Sequence, residues 1–174
     1  CAMRRDWTHA ITTGTVLLAL GTSVAFAQAL SEADRTFIEQ AAEGGHAEVT
    51  LGESAAKSSN PAISAFGKQM IADHGKMNDE LAALAKAKGV EPPTSAGIAG
   101  QVKGMAVSVL PGATFDRQYV SSQLDDHKQA LALFQKEAQS GQDAELKAFA
   151  AQGIPIIEGH IAELEKLQKM PELQ

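Results

Sequence analysis

The sequence predicts an all-α protein, a four-helix bundle with a long crossover between helices 2 and 3. Three observations support this fold class. Apolar residues recur every three or four positions along four long segments, as on the buried face of a helix. Residues typical of helix caps begin or end these segments. One connection, over residues 89–113, is much longer than the other two, which is unusual within a compact domain.

The first 27 residues are typical of a secretory signal peptide. An extension, Cys1-Ala2, precedes Met3, and two arginines then precede an apolar stretch over residues 11–24. Residues 25–27 form a small-x-small cleavage site, so residues 28–174 are predicted to be the mature four-helix domain. The alternative is a retained membrane anchor, but the stretch is short of the roughly 20 apolar residues of a span. The predicted location is the periplasm or cell envelope.

Composition excludes several classes of function. The chain has a net charge of -6 and no cluster of arginines, which makes nucleic acid a poor partner. Its single cysteine, Cys1, lies outside the predicted mature domain, so thiolate metal sites and a cysteine nucleophile are excluded there. No second segment is apolar enough to insert stably into a membrane. For a protein in the cell envelope, the expected partner is an envelope protein or a second copy of the chain.

The first two helices are defined by their capping residues. Ser31 is the predicted N-cap of helix 1, over residues 32–57. Gly44, Gly45 and Gly52 in this helix would let a neighbouring helix approach closely. Asn60 and Pro61 predict the start of helix 2, which runs to residue 88, and Gly89 predicts its end.

The long connection follows, with room for one short helix. Helix 3 is predicted over residues 114–139. Asp143 is the predicted N-cap of helix 4, which runs to about residue 170.

Each predicted helix carries one ionisable residue in the middle of its apolar stripe: Glu48, His74, His127 and His160. If helix 3 runs parallel to helix 2, the four residues lie within roughly 6 Å of one level along the bundle. If helix 3 runs antiparallel, the spread doubles. The parallel arrangement also explains the long connection, and a bundle with one long crossover is the ferritin-like arrangement.

Three neutral imidazoles and one carboxylate at one level suit a single divalent metal ion, either zinc, iron, manganese or copper. The alternative is a polar layer without metal, in which Glu48 accepts hydrogen bonds from the histidines. The carboxylate-rich di-iron pattern is absent, because Glu43-x-x-His46 has the required spacing but lies off the face of Glu48.

Four motifs in order along the chain resemble a known family. They are residues 47–52 (AEVTLG), residues 66–74 (FGKQMIADH), residues 115–119 (FDRQY) with Asp126-His127, and Ile154-Pro155 followed by His160. Residues 37–167 thereby resemble the bacterial domain-of-unknown-function family 4142, exported proteins often labelled membrane or outer-membrane proteins. The resemblance implies a ferritin-like bundle and export. It implies no established activity.

The leading functional prediction is an exported binding protein with one metal ion held by Glu48, His74, His127 and His160. The second is a non-catalytic structural or stress-related envelope module whose polar layer fixes the register of the helices. A metal-dependent oxidoreductase is a third, weaker reading. The chain contains no nucleophile elbow, phosphate loop or dinucleotide fingerprint, so the sequence favours a non-catalytic protein and offers no catalytic or organic-cofactor residues.

Overall fold

A computed structural model describes residues 29–173. The predicted signal peptide, its cleavage site and the Cys1-Ala2 extension all lie outside these residues. The described part contains five α-helices and no strand: α1 (Glu32–Ala55), α2 (Pro61–Ala87), α3 (Gly97–Ser108), α4 (Gly112–Ser140) and α5 (Ala144–Leu167). A short 3₁₀ helix, Pro171–Leu173, follows. Within residues 29–173, no helix combines the length and apolar character needed to cross a bilayer.

Three of the four predicted helix starts are confirmed by their capping bonds, whereas α4 begins at Gly112, two residues before the predicted start, without a side-chain cap. Ser31 Oγ accepts from the backbone N–H of Asp34 at 3.1 Å. Asn60 Oδ1 accepts from the N–H of Ala62 at 2.9 Å, and Asp143 Oδ1 caps α5 in the same way. Each bond satisfies a backbone donor that the first helical turn would otherwise leave open.

Helices α1 and α2 pack closely at two glycines, one of which is the predicted Gly52. The prediction is wrong for Gly44, where a Cβ would meet nothing within 4 Å, and Gly45 lies against the side chain of Asn78 on α2. A Cβ added to Gly52 would lie 3.0 Å from the carbonyl oxygen of Gly67. A Cβ on Gly67 would lie 2.5 Å from the backbone nitrogen of Ala56. Glycine at these positions therefore sets the short distance between the two helices.

The directions of the long helices follow from two apolar core clusters. The first cluster joins the end of α1, the starts of α2 and α4, and the end of α5; its members include Leu51, Ile63, Phe115 and Leu164. The second joins the opposite ends of the same four helices; its members include Phe37, Leu81, Phe134 and Leu146. Helix α4 therefore starts at the end of the bundle where α2 starts, and residues 88–111 return along its length.

The connection between α2 and α4 contains a complete helix, so the described chain has five helices and not only the four long ones. Helix α3 packs against α1 and α4. Gly97 and Gly112, both with positive φ, stand at its start and just beyond its end. Lys103 Nζ binds the Asp126 carboxylate at 2.5 Å and ties α3 to α4. The predicted long loop is thus mostly helical.

Candidate metal centre

Three buried histidines meet in the middle of the bundle. His74 lies on α2, His127 on α4 and His160 on α5, and their exposed fractions are 5%, 1% and 1%. One potential ligand atom from each lies within 4.8 Å of those from the other two. The structure therefore brings together the three histidines that the sequence predicts to share one level.

The rings form a nearly regular triangle. The ring centroids are 5.4 Å apart for His74 and His127, and 5.3 Å apart for each of the other two pairs. Nitrogen ligands of a zinc-sized ion, at about 2.0–2.1 Å from the metal, are closer together than 4.8 Å. Binding an ion would therefore need only a small inward movement of the side chains.

Two of the three rings are oriented through their second nitrogen. His127 Nδ1 donates to the backbone oxygen of Gln123 at 2.9 Å. His160 Nε2 donates to Asp73 Oδ2, on α2, at 2.9 Å. Histidines that bind metals usually donate their other N–H to a backbone carbonyl or carboxylate, which fixes the tautomer and the ring orientation.

Each histidine keeps one buried ring nitrogen without a hydrogen-bond partner among the described residues. These atoms are Nε2 of His74, Nε2 of His127 and Nδ1 of His160. Buried polar atoms normally have a partner, so three unpartnered ring nitrogens in one place need a physical explanation. In His127 and His160 they are the nitrogens opposite the orienting bonds, so they carry the lone pairs available to an ion.

Burial also keeps the imidazoles in the form that binds metals. Burial, followed by the charges of His127 and His160, lowers the pKa of His74 well below its usual value. Burial and then His160 lower the pKa of His127 to about 4, although the bond to Gln123 opposes this shift. Both rings are therefore neutral at pH 7, and a neutral imidazole is the form that coordinates a metal.

Glu48 lies beside the histidine triangle. Its Oε1 is 3.9 Å from Nδ1 of His127, and its Oε2 has no hydrogen-bond partner among residues 29–173. Burial and then the charge of Asp126 raise the pKa of Glu48 to about 8, so the carboxyl group is neutral at pH 7. With His127 also neutral, the contact is not an ion pair. The role of Glu48 as a fourth ligand stays a prediction.

Two further buried polar residues on α4 belong to the same region. Gln123 and Tyr119 are fully buried. The Tyr119 hydroxyl has no hydrogen-bond partner in the described chain, and the Gln123 side chain interacts with the Glu48 carboxyl group, where it opposes the rise in pKa. The site predicted from the sequence did not include Gln123. Its position one turn before His127, on the same face, is the signal that could have found it.

The aspartates that precede two of the histidines bind neighbouring helices. Asp73 accepts from His160 on α5, and Asp126 pairs with Lys103 on α3. Adjacent residues on a helix lie about 100° apart, so these carboxylates face away from the histidine next to them in sequence. Asp73 nevertheless orients the site through a different histidine.

The chain belongs to a family of unknown function. Residues 19–167 match the family described as Domain of unknown function (DUF4142), in agreement with the resemblance carried by the sequence motifs. A comparison with curated proteins gives no match.

Two solved structures share the fold. A DUF305 fragment from Deinococcus radiodurans is 16% identical, with a TM-score of 0.70 over 81% of this chain and 99% of that one. A conserved hypothetical protein, rv2844, from Mycobacterium tuberculosis is 15% identical, with a TM-score of 0.64 over 80% of this chain and 93% of that one. At these identities the likeness concerns the fold alone.

Proposed function

We propose that this protein is an exported, ferritin-like four-helix bundle that binds one divalent metal ion in its core. The ligands are His74, His127 and His160, with Glu48 as the fourth. The ion is zinc, iron, manganese or copper, and the site of action is the periplasm or cell envelope.

One observation carries the metal proposal: three buried histidines each keep an unpartnered ring nitrogen, and they converge from three helices. A single inward histidine is usually satisfied by its surroundings. Here two rings use one nitrogen for an orienting bond and keep the other free, which is the pattern of a metal-binding histidine. Three imidazoles with a nearby carboxyl group match the ligands that divalent transition metals prefer.

The ferritin-like part of the proposal is supported by the helix directions. The two core clusters put the starts of α2 and α4 at the same end of the bundle, and the connection containing α3 returns between them. This is the connectivity of a bundle with one long crossover. Export rests on the signal-peptide pattern of the first 27 residues.

The test is metal content and metal binding of the full chain and two variants. We expect about one ion per chain by mass spectrometry, and its loss in the double variant His74→Ala/His127→Ala. The matched control is His46→Ala, because His46 lies on α1 outside the histidine triangle. Wild-type protein that takes up no zinc, copper, iron or manganese after reconstitution would refute the metal site.

The alternative is a metal-free polar layer in a non-catalytic structural or stress-related module. The direct bond between His160 and Asp73, and a neutral Glu48, favour it, because both reduce the cost of burial without an ion. Under this alternative the double variant changes the stability of the fold, and no variant changes metal content.

A further inference from the structure

A cavity of about 350 Å³ lies beside the histidine triangle, between the long helices and under α3. Most of its wall is apolar and comes from several helices: Met77, Leu81, Phe134, Phe149 and Ile157. Ligand pockets typically measure about 300–1,000 Å³, are mostly apolar, and have a few polar groups that orient the ligand. The volume suits a molecule with one or two rings.

Small residues create the space. Ala47 on α1, Ala130 on α4 and Gly100 on α3 all line the cavity. A Cβ added to Gly100 would lie 3.5 Å from the Cβ of Ala47, so α3 packs closely over α1 at this point. The short helix α3 covers the cavity, and alanine and glycine line part of it. Larger side chains at these positions would fill the space.

The polar side of the cavity contains two buried side chains that lack partners. Glu48 and His74 both line it, and Glu48 Oε2 and His74 Nε2 have no hydrogen-bond partner among the described residues. Lys103 and Asp126 also line the cavity, but they pair with each other at 2.5 Å. This pair cancels its own charge. Glu43 adds a further carboxylate to the lining, which disfavours an anion, and the mostly apolar wall favours a neutral ligand.

We propose that this cavity binds a small, neutral aromatic alcohol. Its one or two rings occupy the apolar part, and its hydroxyl group contacts Glu48 and His74. A hydroxyl group both donates and accepts a hydrogen bond, so it fits a carboxyl group and an imidazole together. Such a molecule would satisfy two buried polar atoms and bury its rings among the apolar side chains. Glu48 and His74 are also proposed metal ligands, so the alcohol and the ion would compete for these two side chains, and the alcohol is proposed to bind the metal-free protein.

The experiment uses the full chain, freed of metal with a chelator, and 2-naphthol as the probe. We expect saturable binding by calorimetry with about one molecule per chain. The analogue 2-methylnaphthalene has the same rings without the hydroxyl group and should bind about 2- to 10-fold more weakly, as expected for one or two lost hydrogen bonds. Equal affinities would refute the contact with Glu48 and His74.

Three variants locate the probe. Ala130→Phe fills the cavity and should abolish binding, with Ala130→Leu as the milder substitute if the larger side chain prevents folding. Ala83→Phe is the matched control, because Ala83 is exposed on α2. Met105→Ser tests the exposed apolar face of α3, where Met105 is 70% exposed. Binding that survives a folded Ala130 variant, or that disappears in Met105→Ser, would overturn the proposal.

Discussion

Asp73 holds His160 in position, and replacing its carboxylate tests whether the three histidines act as one metal site. Asp73 Oδ2 accepts from His160 Nε2 at 2.9 Å, which leaves Nδ1 as the nitrogen available to an ion. The variant Asp73→Asn keeps the shape of the side chain but removes its charge. The amide can also donate an N–H of its NH₂ group to His160 Nε2. The ring would then carry its proton on Nδ1, which would leave no lone pair there for an ion.

The expected loss of affinity can be estimated from this geometry. Removing a partner that orients a metal-binding histidine typically costs 10- to 100-fold in affinity, about 1.4–2.7 kcal/mol. The side chain of Asp73 is 37% exposed, so solvent screens part of its charge. We therefore expect the dissociation constant for zinc to rise by about 10- to 30-fold. The assay is a competitive titration against a zinc-binding dye.

The control is Asp79→Asn, which removes the same charge from the same helix. Asp79 is exposed and lies about 140° around α2 from His74. We expect its affinity to stay within about 2-fold of wild type, the limit of a weak surface charge effect. If Asp73→Asn leaves zinc affinity unchanged while His74→Ala/His127→Ala abolishes binding, then the orienting role of Asp73 is refuted.

Two further predictions concern stability. Gly67→Ala should cost about 1–3 kcal/mol, because its Cβ would lie 2.5 Å from a main-chain nitrogen of α1. Gly75→Ala on the same helix meets open space and should stabilise by up to about 1 kcal/mol; equal effects in denaturant unfolding would contradict the close packing. Burial and then Asp34 raise the pKa of Glu137 from 4.5 to about 7, so the folded protein keeps a proton that the unfolded chain releases. Stability from this group is therefore present below pH 4.5 and falls as the pH rises to about 7. Glu137→Gln should reduce this fall in melting temperature, whereas exposed Glu39→Gln should leave it unchanged.

The parts of the fold that local chemistry determines could be predicted from the sequence. The caps at Ser31, Asn60 and Asp143 are bonds within one helical turn, so nearby residues suffice to place them. The long helices follow from their apolar periodicity. The meeting of the three histidines follows from counting residues along helices of known rise, once the direction of α4 is assumed.

Contacts that depend on the rotation of one helix against another could not be predicted in the same way. The bond between Asp73 and His160 joins α2 to α5, and a rotation of either helix by a fraction of a turn would break it. The pairing of Lys103 with Asp126 depends on how α3 lies over α1 and α4. Counting residues predicts the position of Glu48 along the bundle axis. It does not predict the distance of 3.9 Å between Glu48 Oε1 and His127 Nδ1.

The free-energy cost of burying unpartnered polar groups supports a ligand in the core. The layer lies between the two apolar clusters, and each of its three histidines has a buried ring nitrogen without a partner in residues 29–173. Each unsatisfied buried group costs about 1–3 kcal/mol. Three such groups would together cost a large fraction of the net free energy of unfolding of a typical domain, roughly 5–15 kcal/mol. Apolar side chains at these positions would avoid that cost. One cation could satisfy the three ring nitrogens at once, which supports the proposed metal site, and its binding energy would then contribute directly to the stability of the fold.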